Sequence, residues 1–210
     1  MEKGDVFVIS APSGSGKTTI CRELLRRVDG LELSVSYTTR PRKPGETDGK
    51  DYHFIGEAQF DKMVNLEEFL EHATVFGSRY GTSRAAVGSI VGRGKDALLE
   101  IDVQGGRKVK EALPDAVLVG VFPPRRGVLE QRLSARGRDS RREMDARLSE
   151  AAGEMRVLLG YDYIVINDDL EQAVDGIACI VKSCRCRSAR VRARAEEIIG
   201  ETGKEATWRE

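Results

Sequence analysis

Ala11-Pro12-Ser13-Gly14-Ser15-Gly16-Lys17-Thr18 stands between a short apolar run, Val6-Phe7-Val8-Ile9, and a helix-like stretch from Ile20 to Arg27. A strand, a glycine-rich loop and a helix N-terminus in that order make a site for a polyphosphate. Successive backbone N–H groups point inward, and the helix dipole adds partial positive charge. In such a loop Lys17 reaches the β- and γ-phosphates, and the Thr18 hydroxyl takes a Mg²⁺ position. The general pattern begins with glycine where this chain has Ala11. Residue 11 is therefore expected to keep an ordinary strand-end conformation. Ala11 to Thr18 are the candidate nucleotide-binding residues.

Length and composition bound what such a loop can belong to. The 210 residues suffice for one substantial domain with a small inserted lobe. Lysine plus arginine number 34 and aspartate plus glutamate number 34, so no global field points to nucleic acid. With 40% hydrophobic and 32% charged residues the chain reads as globular and charge-rich. No stretch approaches a membrane span, and Met1-Glu2-Lys3-Gly4-Asp5 lacks a signal-peptide layout, so a cytoplasmic protein is expected. Cys21, Cys179, Cys184 and Cys186 have no histidine beside them to complete a zinc site and read as reduced thiols without chemistry.

Four apolar runs, Val6–Ile9, Ala97–Ile101, Val117–Phe122 and Tyr163–Ile166, have the composition of buried parallel strands. Each is followed by a helical pattern, which predicts an α/β frame with a parallel sheet flanked by helices. A fifth strand is expected at Ser34–Tyr37, entering that sheet or leading out of it. Between about 37 and 90 the texture changes. Thr38 to Glu46 is a proline- and charge-rich loop, Asp48-Gly49 is a turn signal, and Tyr52–Ile55 and Phe69–Phe76 read as short strands flanking a helix near Glu57–Val64. The domain reading is a core of residues 1–36 and 92–200, a small inserted α+β lobe at 37–91, and a frayed tail at 201–210.

Arginines crowd the stretch from Arg125 to Arg147. Ser140 and Glu143 form a capping box that predicts a helix restarting at Arg141, with Met144, Leu148, Ala151 or Ala152, Met155 and Leu159 on its apolar side. Residues 135–140 then make an exposed hinge within an arginine-rich lid near 125–147. The last long helix should begin near Asp168 or Asp169, with Asp168 and Glu171 as its capping box and Leu170, Val174, Ile177 and Ile180 as its buried stripe. Beyond it, Lys182, Arg185, Arg187, Arg190, Arg192 and Arg194 read as a solvated basic helix end.

At Ser34-Val35-Ser36-Tyr37-Thr38-Thr39-Arg40 the chain resembles the guanylate kinases, P-loop enzymes that move the γ-phosphoryl group of ATP onto GMP. The likeness continues through Pro44-Gly45-Glu46, Gly49-Lys50-Asp51-Tyr52, Glu68-Phe69-Leu70-Glu71-His72-Ala73, Tyr80-Gly81-Thr82-Ser83, Ile101-Asp102-Val103-Gln104-Gly105 and Val165-Ile166-Asn167-Asp168-Asp169. It covers about Val6 to Ile180. By that resemblance Ser36, Glu71, Thr82 and Asp102 face the guanine. The chemistry fits: guanine offers donors at N1 and N2, which an acceptor-only carboxylate can take together, while a hydroxyl from Ser36 or Thr82 can donate to O6. The GMP phosphate is expected on Arg40, Tyr52 and Tyr80. The family's second arginine falls three residues after Arg40, where this chain has Lys43 with Arg42 beside it. Lysine has no bidentate fork, so either Lys43 or Arg42 supplies that charge.

The resemblance also implies that Arg132, Arg136 and Arg147 close over the transferring phosphoryl group, with Lys17 and Arg40 completing the catalytic set, and that Asn167 borders the adenine. Mg²⁺ would meet Thr18, with Asp102 or Glu100 acting through water. The partners implied are ATP, with GMP or dGMP as acceptor, in purine nucleotide metabolism, without nucleic acid or membrane, and with monomer or homodimer left open. Non-catalytic relatives that bind proteins typically lose the phosphate loop, which is intact here. A P-loop kinase for another acceptor would not need the set Ser36, Glu71 and Thr82.

Overall fold

The computed structural model describes residues 3–75, 77–134 and 141–205, with the side chains of 133–134, 141–143 and 201–205 also outside the description. The first part of the chain runs β1 (Val6–Ser10), α1 (Lys17–Arg27), β2 (Leu31–Leu33), β3 (Tyr37–Thr38), β4 (His53–Phe54), α2 (Glu57–Asn65), β5 (Phe69–Val75) and β6 (Ser78–Ser83). It continues with α3 (Arg84–Gly92), β7 (Asp96–Glu100), α4 (Val103–Ala112), β8 (Val117–Phe122) and α5 (Arg126–Ser134). It ends with α6 (Arg141–Leu158), β9 (Tyr163–Ile166), α7 (Leu170–Cys184) and α8 (Ser188–Glu205).

Among the described residues the strands form two sheets. The larger is parallel, in the order β2-β7-β1-β8-β9. Its central strand explains the unbroken apolar run at Val6–Ile9. Successive side chains point to opposite faces, and both faces are covered. Phe7 and Ile9 pack with Ile20 and Leu24 of α1 and with Val174 and Ile177 of α7. Val8 enters the other layer with Val87 and Ile90 of α3 and Val109 of α4. The smaller sheet, β4-β3-β6-β5, has its own core of Phe60, Met63 and Phe69 where α2 lies on it.

The four strands expected in the main sheet are present, within a residue or two at their ends. Ser34–Ser36 are not strand, and Tyr37 opens β3, which belongs to the second sheet. The edge strand is the preceding Leu31–Leu33, paired with 96–98, and the Ser34 N–H still donates to the Leu98 carbonyl before the chain leaves for the second sheet. Strand β6 had no expectation, because Ser78-Arg79-Tyr80-Gly81 lacks an apolar alternation. Its inward position at Gly81 is instead filled from β5, where a Cβ on Gly81 would lie 2.7 Å from the Phe69 ring.

Two helix details also differ from the sequence reading. Asp169, not Asp168, caps α7, accepting from the Gln172 N–H at 2.9 Å, while Glu171 is drawn away to Arg27 of α1 at 2.7 Å. On α6 the buried leucine is Leu158, at 0% exposure, whereas Leu159 is 65% exposed. Met144, Leu148, Ala151 and Met155 pack with Leu129 of α5 as expected.

The basic stretch 182–194 is not simply solvated. Asp96, at the start of β7, has 0% exposure and accepts from Arg185 Nε at 2.7 Å, Arg190 Nη1 at 2.8 Å and the Asp5 N–H at 2.8 Å. Arg190 also reaches Asp5 Oδ2 at 2.6 Å. One carboxylate thus ties β1, β7 and the C-terminal helices together beneath the sheet.

Removing that carboxylate leaves Arg185 partly buried without its anion and Arg190 with Asp5 alone. Asp96→Ala is expected to lower the unfolding free energy in urea melts by about 3 kcal/mol. Asp175→Ala removes an exposed partner of Arg27 and should change stability by less than about 0.5 kcal/mol.

Candidate active site

The loop after β1 is held in shape by glycine conformations that other residues rarely adopt. Gly14 and Gly16 have φ of 89° and 91°, and Ala11, as expected, is not among the residues with positive φ. Gly16 is also hemmed in from outside. Asn167, at the end of β9, donates from Nδ2 to the Ser15 carbonyl at 2.7 Å, and a Cβ on Gly16 would lie 2.6 Å from that nitrogen. Asn167 therefore braces the loop, and on its outer side it joins Arg132, Asp168 and Leu170 around a cavity of about 510 Å³.

The parallel pairing of β1 with β7 brings the end of β7 beside the loop. Lys17 Nζ donates to the Ile101 carbonyl at 2.8 Å, and the Thr18 hydroxyl donates to Glu100 Oε1 at 2.5 Å. Asp102 caps α4 by accepting from the Gly105 N–H at 2.8 Å. The inner hollow of the loop, about 290 Å³, is closed on its far side by Asp102 and by Glu154 of α6.

Lys17 also belongs to the wall of a second cavity, about 210 Å³, that runs towards the small sheet. Ser36, Glu71, Asp102, Tyr52 and Tyr80 line it. Glu71 is 5% exposed, and burial pushes its carboxyl above the usual carboxylate range, partly offset by the Thr82 hydroxyl, which donates to Oε1 at 2.7 Å. Thr82 stands behind Glu71, fully buried and off the cavity wall, so of Ser36 and Thr82 it is Ser36 that lines the space. Room for Glu71 depends on Gly105, where a Cβ would come within 2.7 Å of Oε2.

A broader cavity of about 850 Å³ continues from there between α1 and the lobe. Arg40, Lys43, Tyr52 and Tyr80 are on its wall. Glu46 holds Arg40 through two hydrogen bonds, 2.7 and 3.1 Å, and accepts the Lys43 N–H at 2.7 Å. The guanidinium lies 5.4 Å from the Tyr52 ring centre. Burial, then the nearby Glu100 charge, pushes the Tyr52 hydroxyl up to about 12. Arg42 is exposed and off the wall, and Lys43 is on it.

Of the expected lid arginines, Arg132 borders the outer cavity and Arg147 lies on α6, while Arg136 lies outside the described residues. The site also contains residues to which the sequence reading assigned no role: Glu46, Gly105 and Glu154. Glu46 lies in the Pro44-Gly45-Glu46 motif, and the turn at Gly45 returns it to Arg40. Glu154 carried no local signal.

No described helix is long and apolar enough to cross a membrane, and no described cluster of three or more His, Cys, Asp or Glu residues could hold a metal by itself. A family model described as guanylate kinase matches residues 3–184. The guanylate kinase of Chromohalobacter salexigens is 44% identical over 197 residues, covering 94% of this chain and 92% of the relative. That of Neisseria gonorrhoeae is 46% identical over 188 residues, covering 90% and 92%. A crystal structure of guanylate kinase from Anaplasma phagocytophilum superposes with a TM-score of 0.76 at 32% identity, with 90% of each chain covered. With its phosphate loop, its buried carboxylate cavity and these likenesses along nearly its whole length, the chain belongs to the guanylate kinase family.

Proposed function

We propose that the protein transfers the γ-phosphoryl group of ATP to GMP, and to dGMP, releasing ADP and the nucleoside diphosphate. The observation that carries this is Lys17. It is shared by the phosphate-loop hollow and by the cavity whose far end holds buried Glu71, so a donor triphosphate and an acceptor monophosphate would meet at one ammonium group. Glu71 accepts from guanine N1–H and N2–H, with Thr82 and Gly105 fixing it, and Ser36 donates to O6. Adenine reverses that donor–acceptor pattern and would leave the carboxylate unmatched.

The acceptor phosphate sits on Arg40, Lys43, Tyr52 and Tyr80. One of its oxygens, already anionic, attacks the γ-phosphorus as the bond to the β–γ bridging oxygen breaks and ADP leaves with the electron pair. No strong base is needed, so positioning and charge neutralisation do the work. Lys17 neutralises charge between the two phosphates. Arg132, Arg136 and Arg147 close over the equatorial oxygens and exclude water, which limits hydrolysis of ATP. Asn167 sets the loop against which the adenosine side rests.

The residues at the loop fit a Mg²⁺ carried in with ATP. The Thr18 hydroxyl and the Glu100 carboxylate are hard oxygen donors already in contact, and Mg²⁺ prefers such a site with water and phosphate completing its octahedron. Thr18 would hold it directly and Glu100 or Asp102 through water. The ion would supply charge neutralisation between the β- and γ-phosphates. The cellular setting proposed is the cytoplasm, with small molecules as partners.

The decisive measurement is ADP release across GMP, AMP, CMP and UMP, with GMP expected to be preferred by orders of magnitude; equal rates would reject the reading. Lys17→Ala is expected to abolish turnover with little change in Tm, since the side chain lines a hollow and opens no core cavity. Glu71→Gln should lower kcat/KM for GMP by about 2–3 kcal/mol in transition-state terms while leaving ATP binding intact. Because the Glu71 pKa is raised, GMP affinity should begin to fall on acidification at a higher pH than an exposed glutamate would dictate. Lys43→Ala should raise KM for GMP by roughly tenfold and Arg42→Ala should leave it nearly unchanged. The reverse result would give the phosphate contact to Arg42.

A further inference from the structure

Two helical turns separate Arg147 from Glu154 on α6, so both lie on the same face of that helix. At Glu154 that face meets the phosphate loop. Glu154 is a wall of the loop's inner hollow, which it shares with Ser13 and Lys17, and the Ser13 backbone amide favours its charged form. Ser13 belongs to the run of N–H groups that cradles phosphate. A carboxylate therefore stands where an anion is meant to go, and it does so from the helix that also carries a lid arginine.

Its surroundings do not suit a purely structural glutamate. Burial, then Glu150 on its own helix and Asp102 at the start of α4, oppose its charge, and Lys17 favours it. These push its carboxyl up to about 7. A triphosphate entering the hollow would take over both Lys17 and the Ser13 N–H, leaving Glu154 against phosphate oxygens of the same sign.

We propose that Glu154 is a placeholder anion: it occupies part of the phosphate cradle when the loop holds no nucleotide, and is displaced with α6 when phosphates bind. The inference rests on the phosphate-loop reading above. By giving the cradle an internal anion, Glu154 lowers affinity for ATP and for ADP alike, and so favours release of product. The same displacement moves α6, so arrival of phosphate and movement of Arg147 become one event. Glu154 is thus a positioning residue that touches phosphate only by being driven from it.

The test is calorimetric binding of ATP, ADP, inorganic tripolyphosphate and adenosine to the full chain and to Glu154→Gln and Glu150→Gln. Glutamine keeps the shape and an acceptor oxygen, so only the charge is lost. Glu154→Gln is expected to bind tripolyphosphate, ATP and ADP about tenfold more tightly, with adenosine unchanged. Glu150→Gln, at an exposed position, should shift each by less than about twofold. Unchanged or weaker phosphate binding by Glu154→Gln overturns the proposal. So does an equal gain from Glu150→Gln, which would make it a diffuse field effect. Glu154→Asp, which keeps the charge, should stay near the wild-type affinities, and tightening there would also overturn it. If the unaltered chain bound neither ATP nor tripolyphosphate, the phosphate-loop reading would fall and take this inference with it. Binding by the unaltered chain without a change in Glu154→Gln would sink the inference alone.

Discussion

The parallel pairing of β1 with β7 is the contact on which the site depends. Its register sets Ile9 beside Glu100, so the loop that leaves β1 and the carboxylates that end β7 emerge at the same edge of the sheet. Without that register Lys17 would not reach the Ile101 carbonyl, nor Thr18 the Glu100 carboxylate. Phe7, Val8, Ile9, Leu98 and Leu99, each 0–1% exposed, make the register costly to shift. Asp96 fastens the other end of the same two strands through the Asp5 N–H and two arginines. The pairing is thus fixed by apolar burial along its length and by charge at the end away from the chemistry.

What could be read from the sequence follows from how local each signal is. The phosphate loop is eight consecutive residues, and its chemistry is written in them. The central strands were legible because burial on both faces leaves an unbroken apolar run. Ser34–Tyr37 misled because Val35 and Tyr37 are apolar, yet the edge strand is Leu31–Leu33, in which Leu31 joins the core and Leu33 lines the broad cavity. Strand β6 was silent because Gly81 makes room for the Phe69 ring, a fact about β5. Arg185 and Arg190 read as solvent-facing because their partner Asp96 is some ninety residues away in sequence. The part played by Thr82 shows the same limit. A hydroxyl near a guanine-type pocket is a reasonable contact, but the pairing of Glu71 with Thr82 across β5 and β6 aims it at the carboxylate instead.

An anion-binding cleft that contains Glu71, Glu100, Asp102 and Glu154 looks ill suited to two phosphorylated substrates. The resolution lies in where each carboxylate points and what already satisfies it. Asp102 is taken by the α4 cap, Glu100 by Thr18, and Glu46 by Arg40, so their charge is largely directed at fixed partners. Such pairing orients the donors in advance and lowers the reorganisation needed when phosphate arrives. Glu71 has one oxygen held by Thr82 and the other unassigned by any cation, which suits a neutral base with two N–H groups better than a phosphate.

Glu154 differs from these in being opposed by burial, Glu150 and Asp102, with Lys17 favouring its charge without an ion pair to it. A phosphate-loop enzyme that cycles between ATP and ADP must bind the first without being trapped by the second, and both present the same β-phosphate to the same N–H groups. An internal anion weakens both by a similar amount, which costs little when the nucleotide is abundant and speeds departure of product in every cycle. Placing that anion on α6 adds a consequence that a fixed acidic residue in the loop would lack. Displacing it moves the element that carries Arg147, so charge arriving at the cradle is converted into motion of the lid through one packed helix rather than through any distant relay.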